Sequence, residues 1–113
     1  MGEQPVDFLS GTLEMLVLRV LAGEPMHGYG ISQWIRSRTD DELRVQDAAM
    51  YQALRRMEAK GWVQAEWQVT ELNRRARYYA LTDAGREQLR RQASAWRRFA
   101  LAVSQVLQPP EAA

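Results

Sequence analysis

The side chains with most chemistry to offer are arginines, and they are clustered. Lys60 is the single lysine among the fifteen Lys and Arg residues, so fourteen are arginine. They concentrate at Arg55-Arg56, at Arg74-Arg75 with Arg77, and between Arg86 and Arg98. A guanidinium is planar and makes paired hydrogen bonds to a phosphate or to guanine, which an ammonium does not copy. The sharpest cluster is Asn73-Arg74-Arg75-Ala76-Arg77. On an exposed turn these cations repel one another and add little to folding, whereas a phosphate row or a narrow minor groove relieves the repulsion. An isolated RRxR is common, so its meaning depends on the element that carries it. A second group lies on the stretch DAAMYQALRRMEAKG, where Ala48, Ala49, Tyr51, Gln52 and Arg55 fall away from an apolar stripe. A tyrosine hydroxyl bonds a phosphate or its ring packs on a sugar, and a glutamine amide matches an adenine edge. The competing reading is a set of solvated faces paired with Glu58 and Glu87, with Tyr51 merely propping its helix.

Other chemistry has little to work with. The chain contains no cysteine, which removes disulfides, thiolate metal sites and cysteine catalysis. His27 is the only histidine, so no histidine cluster or Ser-His pair forms, and beside Gly28 it reads as a capping or packing residue. Asp40-Asp41-Glu42 reads as a solvated acidic loop, with cation binding as the alternative, and Gly28 and Gly30 do not make a phosphate loop. The expectation is a protein that is not an enzyme and has no cofactor and no metal. Residues 1–10 carry Glu3 and Asp7 and lack the basic start of a signal peptide. No apolar run approaches the roughly 18 residues of a membrane helix. A soluble, cytoplasmic protein without a membrane partner is expected. The net charge of +1 says little about partners; the distribution of the arginines says more.

The elements that must position these groups follow from periodicity. At 113 residues, 46% of them hydrophobic, the chain suits one domain with a single appended element. Leu13, Leu16, Val17, Val20 and Leu21 recur at helical spacing after Thr12, a plausible N-cap, and Gly23 with Pro25 ends that helix. A second helix is predicted from about His27 to Ser37, followed by a polar link in which Leu43 and Val45 suit a short strand or an extended segment. Asp47 suits the N-cap of a third helix that stops at Gly61, with Met50, Leu54 and Met57 facing the core. Beyond Gly61 the period drops to two, which predicts a strand over 62–67, a turn over 68–76 and a returning strand over 77–81. Thr82 and Asp83 start a final helix reaching about Leu107, before Pro109-Pro110. The predicted fold is mainly α with a small β-hairpin. It is a winged helix-turn-helix over 9–81 plus a long C-terminal dimerisation helix over 82–108.

That last helix carries its own pattern. Leu89, Ala93, Trp96, Ala100, Val103 and Leu107 are spaced 4, 3, 4, 3, 4, the seam of a coiled coil, widened by Phe99 and Val106. Its far end has nothing left in the chain to cover it, and the simplest cover is a second copy, with Leu13, Leu16 and Val20 adding to the same interface. The alternative is a monomer in which the helix folds back on the first helix. A twofold dimer would present two recognition helices to a palindromic duplex.

Four blocks, in order, then resemble the PadR-like transcriptional regulators, particularly the short-tailed members. They are Gly11-Thr12-Leu13-Glu14-Met15-Leu16 with Pro25-Met26-His27-Gly28-Tyr29; Met50 to Glu58 with Lys60-Gly61-Trp62; Asn73 to Tyr79; and Leu81-Thr82 with Ala84-Gly85. The resemblance covers Leu9 to Leu107. It implies a homodimeric repressor whose last helix pairs with its twin, with DNA contacts from Tyr51, its neighbouring turns and the wing arginines. It also implies, for some members, binding of a small planar aromatic effector between subunits, a part Trp96 would play here beside its bulk role in the seam. Two positions depart from the pattern: Ala49 replaces a usual serine or threonine, and Gln52 a usual proline. Both put the family's operator sequence in doubt for this chain. The function expected is sequence-specific DNA binding that regulates, and represses, transcription. A winged-helix protein-interaction or RNA-binding module is the alternative.

Overall fold

The computed structural model describes residues 11–110. Leu9 and Ser10, where the predicted first domain begins, lie outside them. The elements are α1 (Thr12–Leu21), β1 (Met26–His27), α2 (Gly28–Arg38), α3 (Asp47–Ala59), β2 (Val63–Val69), β3 (Arg75–Leu81) and α4 (Asp83–Leu107). This is the expected winged helix-turn-helix with a long last helix.

The helices meet through the predicted apolar positions and through Leu18, which the periodicity leaves out. Val17 and Leu18 of α1, Ile31 of α2, and Met50, Leu54 and Met57 of α3 are fully buried in one cluster. Leu43 and Val45 pack on this cluster from an irregular link, so no strand forms there. The link is held by Thr39, whose hydroxyl donates to Ile35 O at 2.9 Å and accepts from Leu43 N at 3.1 Å. It is also held by an Arg36–Asp41 ion pair at 2.7 Å. The hydrogen bond from Arg36, reinforced by its charge, lowers the Asp41 carboxyl below the ordinary aspartate value.

Two helix starts differ from expectation. Gly11, not Thr12, occupies the cap of α1, in a left-handed conformation (φ 81°) and with no side-chain cap bond. At α3 the cap position is Gln46, again without a side-chain bond, and Asp47 is already the first helical residue. Its carboxylate therefore faces the positive end of the helix dipole rather than closing a cap. His27 does cap α2, its ring Nδ1 accepting from Gly30 N at 2.9 Å.

The sheet has three strands in the order β1-β3-β2, all antiparallel. The two-residue β1 pairs Met26 with Tyr79 and His27 with Tyr78, and was too short to show a period in the sequence. The hairpin strands are longer than expected, from Val63↔Leu81 to Val69↔Arg75, because Thr70 closes the turn early. Thr70 N donates to Arg74 O at 2.7 Å, and Thr70 Oγ1 accepts from Leu72 N and Arg74 N at 3.2 and 3.3 Å. Asn73 sits at φ 61°, a left-handed turn position asparagine tolerates.

The start of α4 is anchored at the foot of the wing. The Thr82 side chain accepts from Gly85 N at 3.0 Å, and its hydroxyl lies 2.7 Å from Gly61 O. Gly85 is buried with the Trp62 carbonyl so close that a Cβ would stand 2.2 Å from its oxygen. From there α4 runs 25 residues, about 37 Å at 1.5 Å per residue, over α1 and beyond it. Leu89 reaches the core and Ala93 is half-buried, but Val106 and Leu107 are 83% and 76% exposed.

Candidate nucleic-acid interface

Helix α3 turns Met50, Ala53, Leu54 and Met57 inward, and its opposite side follows from the 3.6-residue period. The outermost line is Ala48, Gln52, Arg55 and Ala59, all exposed. Tyr51 and Glu58 flank that line on the wing side, and Ala49 and Arg56 on the α1 side. The flanks are fixed by ion pairs. Arg56 Nε donates to Glu14 of α1 at 3.0 Å, and Arg77 of β3 donates to Glu58 at 3.0 Å. Ala49 is exposed but lies off the outer line, beside Arg56.

The wing arginines are arranged differently from the sequence expectation of three cations on one turn. Only Arg74 lies in the turn; Arg75 and Arg77 belong to β3, because the early Thr70 turn returns those residues to the ladder. They alternate with Ala76, so both project from the face that also carries Trp67 and Tyr79. The Arg75 guanidinium lies over the Trp67 ring, 4.9 Å from its centre, held by the ring's quadrupole with its charge intact. Arg77 spends part of its charge on Glu58 and lies 5.9 Å from the Tyr79 ring. Burial raises the Tyr79 hydroxyl above the ordinary phenol value and keeps it a neutral group beside that cation. Arg74 makes no ion pair among the described residues.

Between α3 and the wing these groups line an open cleft of about 830 Å³. Tyr51, Arg55, Arg74, Arg75 and Arg77 all border it, together with His27, Tyr29 and Trp67. Gln52, Ala49 and Asn73 do not border it; Gln52 stands on the neighbouring outer line, and Asn73 serves the turn. Sequence reasoning missed three participants. Tyr29 is a 62% exposed ring at the cleft edge whose helical position alone suggested nothing. Alternation places Trp67 on a strand face but gives no sign of the arginine that covers it. Glu14 sits in an apolar stripe, and only the fold shows that its nearly buried carboxylate meets Arg56. The uncapped Asp47 also stands at the start of α3, where its charge opposes a phosphate.

At the other end, Leu13 and Val20 are buried in the chain's own core and Leu16 packs against it, as does Leu89. Trp96 and Phe99 are tilted neighbours, ring centres 6.0 Å apart, over a hollow of about 300 Å³ shared with Gly11 and with Thr12 and Met15 of α1. Ala100 is half-buried, while Val103 and Leu107 are exposed. Among the described residues no helix is long and apolar enough to cross a membrane.

The family model described as "Transcriptional regulator PadR-like family" matches residues 17–91, from the middle of α1 to the first third of α4. The chain belongs to this family. It is thus a winged-helix, DNA-binding transcriptional regulator. A PadR family transcription regulator from Clostridium difficile R20291 is 27% identical with a TM-score of 0.76, over 87% of this chain and 100% of that one. A PadR family regulator from Eggerthella lenta is 32% identical with a TM-score of 0.71, over 87% and 83%. Among curated relatives, an uncharacterized protein of Lysinibacillus sphaericus is 28% identical over 80% of this chain and 83% of its own length. An uncharacterized transposon protein of Streptomyces fradiae is 38% identical over 87% of this chain, which spans only 27% of that protein.

Proposed function

We propose that this PadR-like regulator is a homodimeric repressor that binds a palindromic double-stranded operator by sequence. The observation that carries this is the cleft that Tyr51 and Arg55 of α3 share with the wing guanidiniums. A duplex whose major groove receives α3 brings a phosphate row to the wing. Tyr51 then serves the flank of the groove and Arg55 enters it, Arg74 and Arg75 grip the backbone or the adjoining minor groove, and Asn73 shapes the turn that presents them. Arg77 joins them chiefly by holding the wing to α3 through Glu58. Gln52 and the turn around Ala49 carry the reading of bases.

In this reading residues 9–81 bind DNA and 82–108 bind the partner. The seam is Ala93, Trp96, Ala100, Val103 and Leu107, continuing from Leu89, while Leu13 and Leu16 remain mostly with their own core. A small aromatic effector stacking on Trp96 is a regulatory extension of the same reading, supported by the aromatic hollow beneath that ring. Selecting bound fragments from the source genome tests the whole. Enrichment of a palindromic sequence upstream of a gene, with lower reporter output when the protein is present, is the expected result. Recovery of no sequence above background contradicts it and favours a protein-interaction or RNA-binding module.

A further inference from the structure

Which bases such a helix can read is set by the side chains on its outermost line. On α3 that line is short: Ala48, Gln52, Arg55 and Ala59. Resting on the DNA-binding reading above, we propose that Ala48, Gln52 and Arg55 are the specificity-determining residues, taking a thymine methyl, an adenine and a guanine in that order along the major groove.

Three observations support the assignment. First, availability: Arg56, Glu58 and Arg77 are committed to ion pairs within the fold, whereas Gln52 and Arg55 make no side-chain hydrogen bond among the described residues. Second, size: the line begins and ends in alanine, so nothing longer than Gln52 and Arg55 holds the helix away from the base edges. A methyl facing outward fits the thymine C5-methyl, the glutamine amide pairs with adenine N6 and N7, and the guanidinium pairs with guanine O6 and N7. Third, spacing: Ala48 and Gln52 are about 6 Å apart along the axis and Gln52 and Arg55 about 4.5 Å. At 3.4 Å per base pair the three span about three steps. The exposed, uncapped Asp47 supports side-chain reading as well, since its charge keeps a phosphate from settling on the first amides of α3.

The assignment moves base reading from Ala49, on the α1 flank, to Ala48. It predicts a half-site containing thymine, adenine and guanine within about four base pairs.

The test is selection from a randomised duplex pool with wild type, Gln52→Ala and Arg55→Ala, each checked for native helicity by circular dichroism. Wild type should select that half-site. Gln52→Ala should lose discrimination at the adenine alone, by roughly five- to a hundred-and-fiftyfold, and Arg55→Ala at the guanine alone. Deoxyuridine at the selected thymine should weaken wild-type binding. An unchanged consensus in Gln52→Ala overturns the proposal while leaving DNA binding intact. So does Arg55→Ala that weakens every sequence equally and lowers the salt slope, the mark of a phosphate contact. Absence of duplex binding by wild type at low salt overturns the DNA-binding reading itself, and this inference with it.

Discussion

Adjacent arginines in this chain have unlike roles because a helix turns 100° between them. Arg55 faces outward. Arg56 faces α1, where the Glu14 side chain is 12% exposed and has the Arg56 guanidinium at 3.0 Å. Removing the cation strands a nearly buried carboxylate, so Arg56→Ala should destabilise the fold by about 1–3 kcal/mol. Its duplex binding, measured well below the melting temperature, should keep the wild-type salt slope. Arg77 behaves similarly for another reason: its partner Glu58 lies on α3, so the pair fixes the angle between wing and helix. Arg77→Ala should therefore weaken duplex binding with little change in salt slope, and Glu58→Gln should do the same without touching any cation. A fall in slope of about 0.9 for each protomer in Arg77→Ala would instead make it a phosphate ligand.

The elements were legible where burial imposes a period. Met50, Leu54 and Met57 marked the inner side of α3, and alternation from Val63 marked the first wing strand. What stayed hidden was set by contacts rather than by pattern. The two-residue β1 exists only because β3 lies beside it. The wing turn was placed too broadly because Thr70, an ordinary strand former, closes it through its hydroxyl and amide. The two missed caps share one cause, since Thr12 and Asp47 have capping side chains but already lie inside their helices. The joint between wing and α4 was only half visible. Thr82 was recognisable as a helix start, but the demand on Gly85 comes from the Trp62 carbonyl, far away in sequence. A side chain at 85 must displace that backbone, so Gly85→Ala should cost about 1–3 kcal/mol or more despite the better helix propensity of alanine. A lowered thermal midpoint is expected; a raised one would mean the joint opens freely.

As a whole the molecule is 57 × 38 × 21 Å, with its long dimension reflecting a helix that outruns the body it starts on. The outer half of α4 leaves Trp96, Phe99, Val103, Val106 and Leu107 at least partly in solvent, and a contiguous exposed apolar stripe is the kind of surface that marks a partner. If a second copy covers it, Val103→Asp should sediment as a monomer where wild type sediments as a dimer; wild type sedimenting as a monomer would end the seam argument. Family membership and fold identify a regulator, and the placement of the arginines says how it would hold a duplex. That claim is tested most directly by the salt dependence of duplex binding for wild type and for Arg74→Ala with Arg75→Ala. Each protomer's two lost phosphate contacts should weaken binding and flatten the slope of log K against log salt by about 0.9 per contact. Affinity and slope equal to wild type would contradict the account.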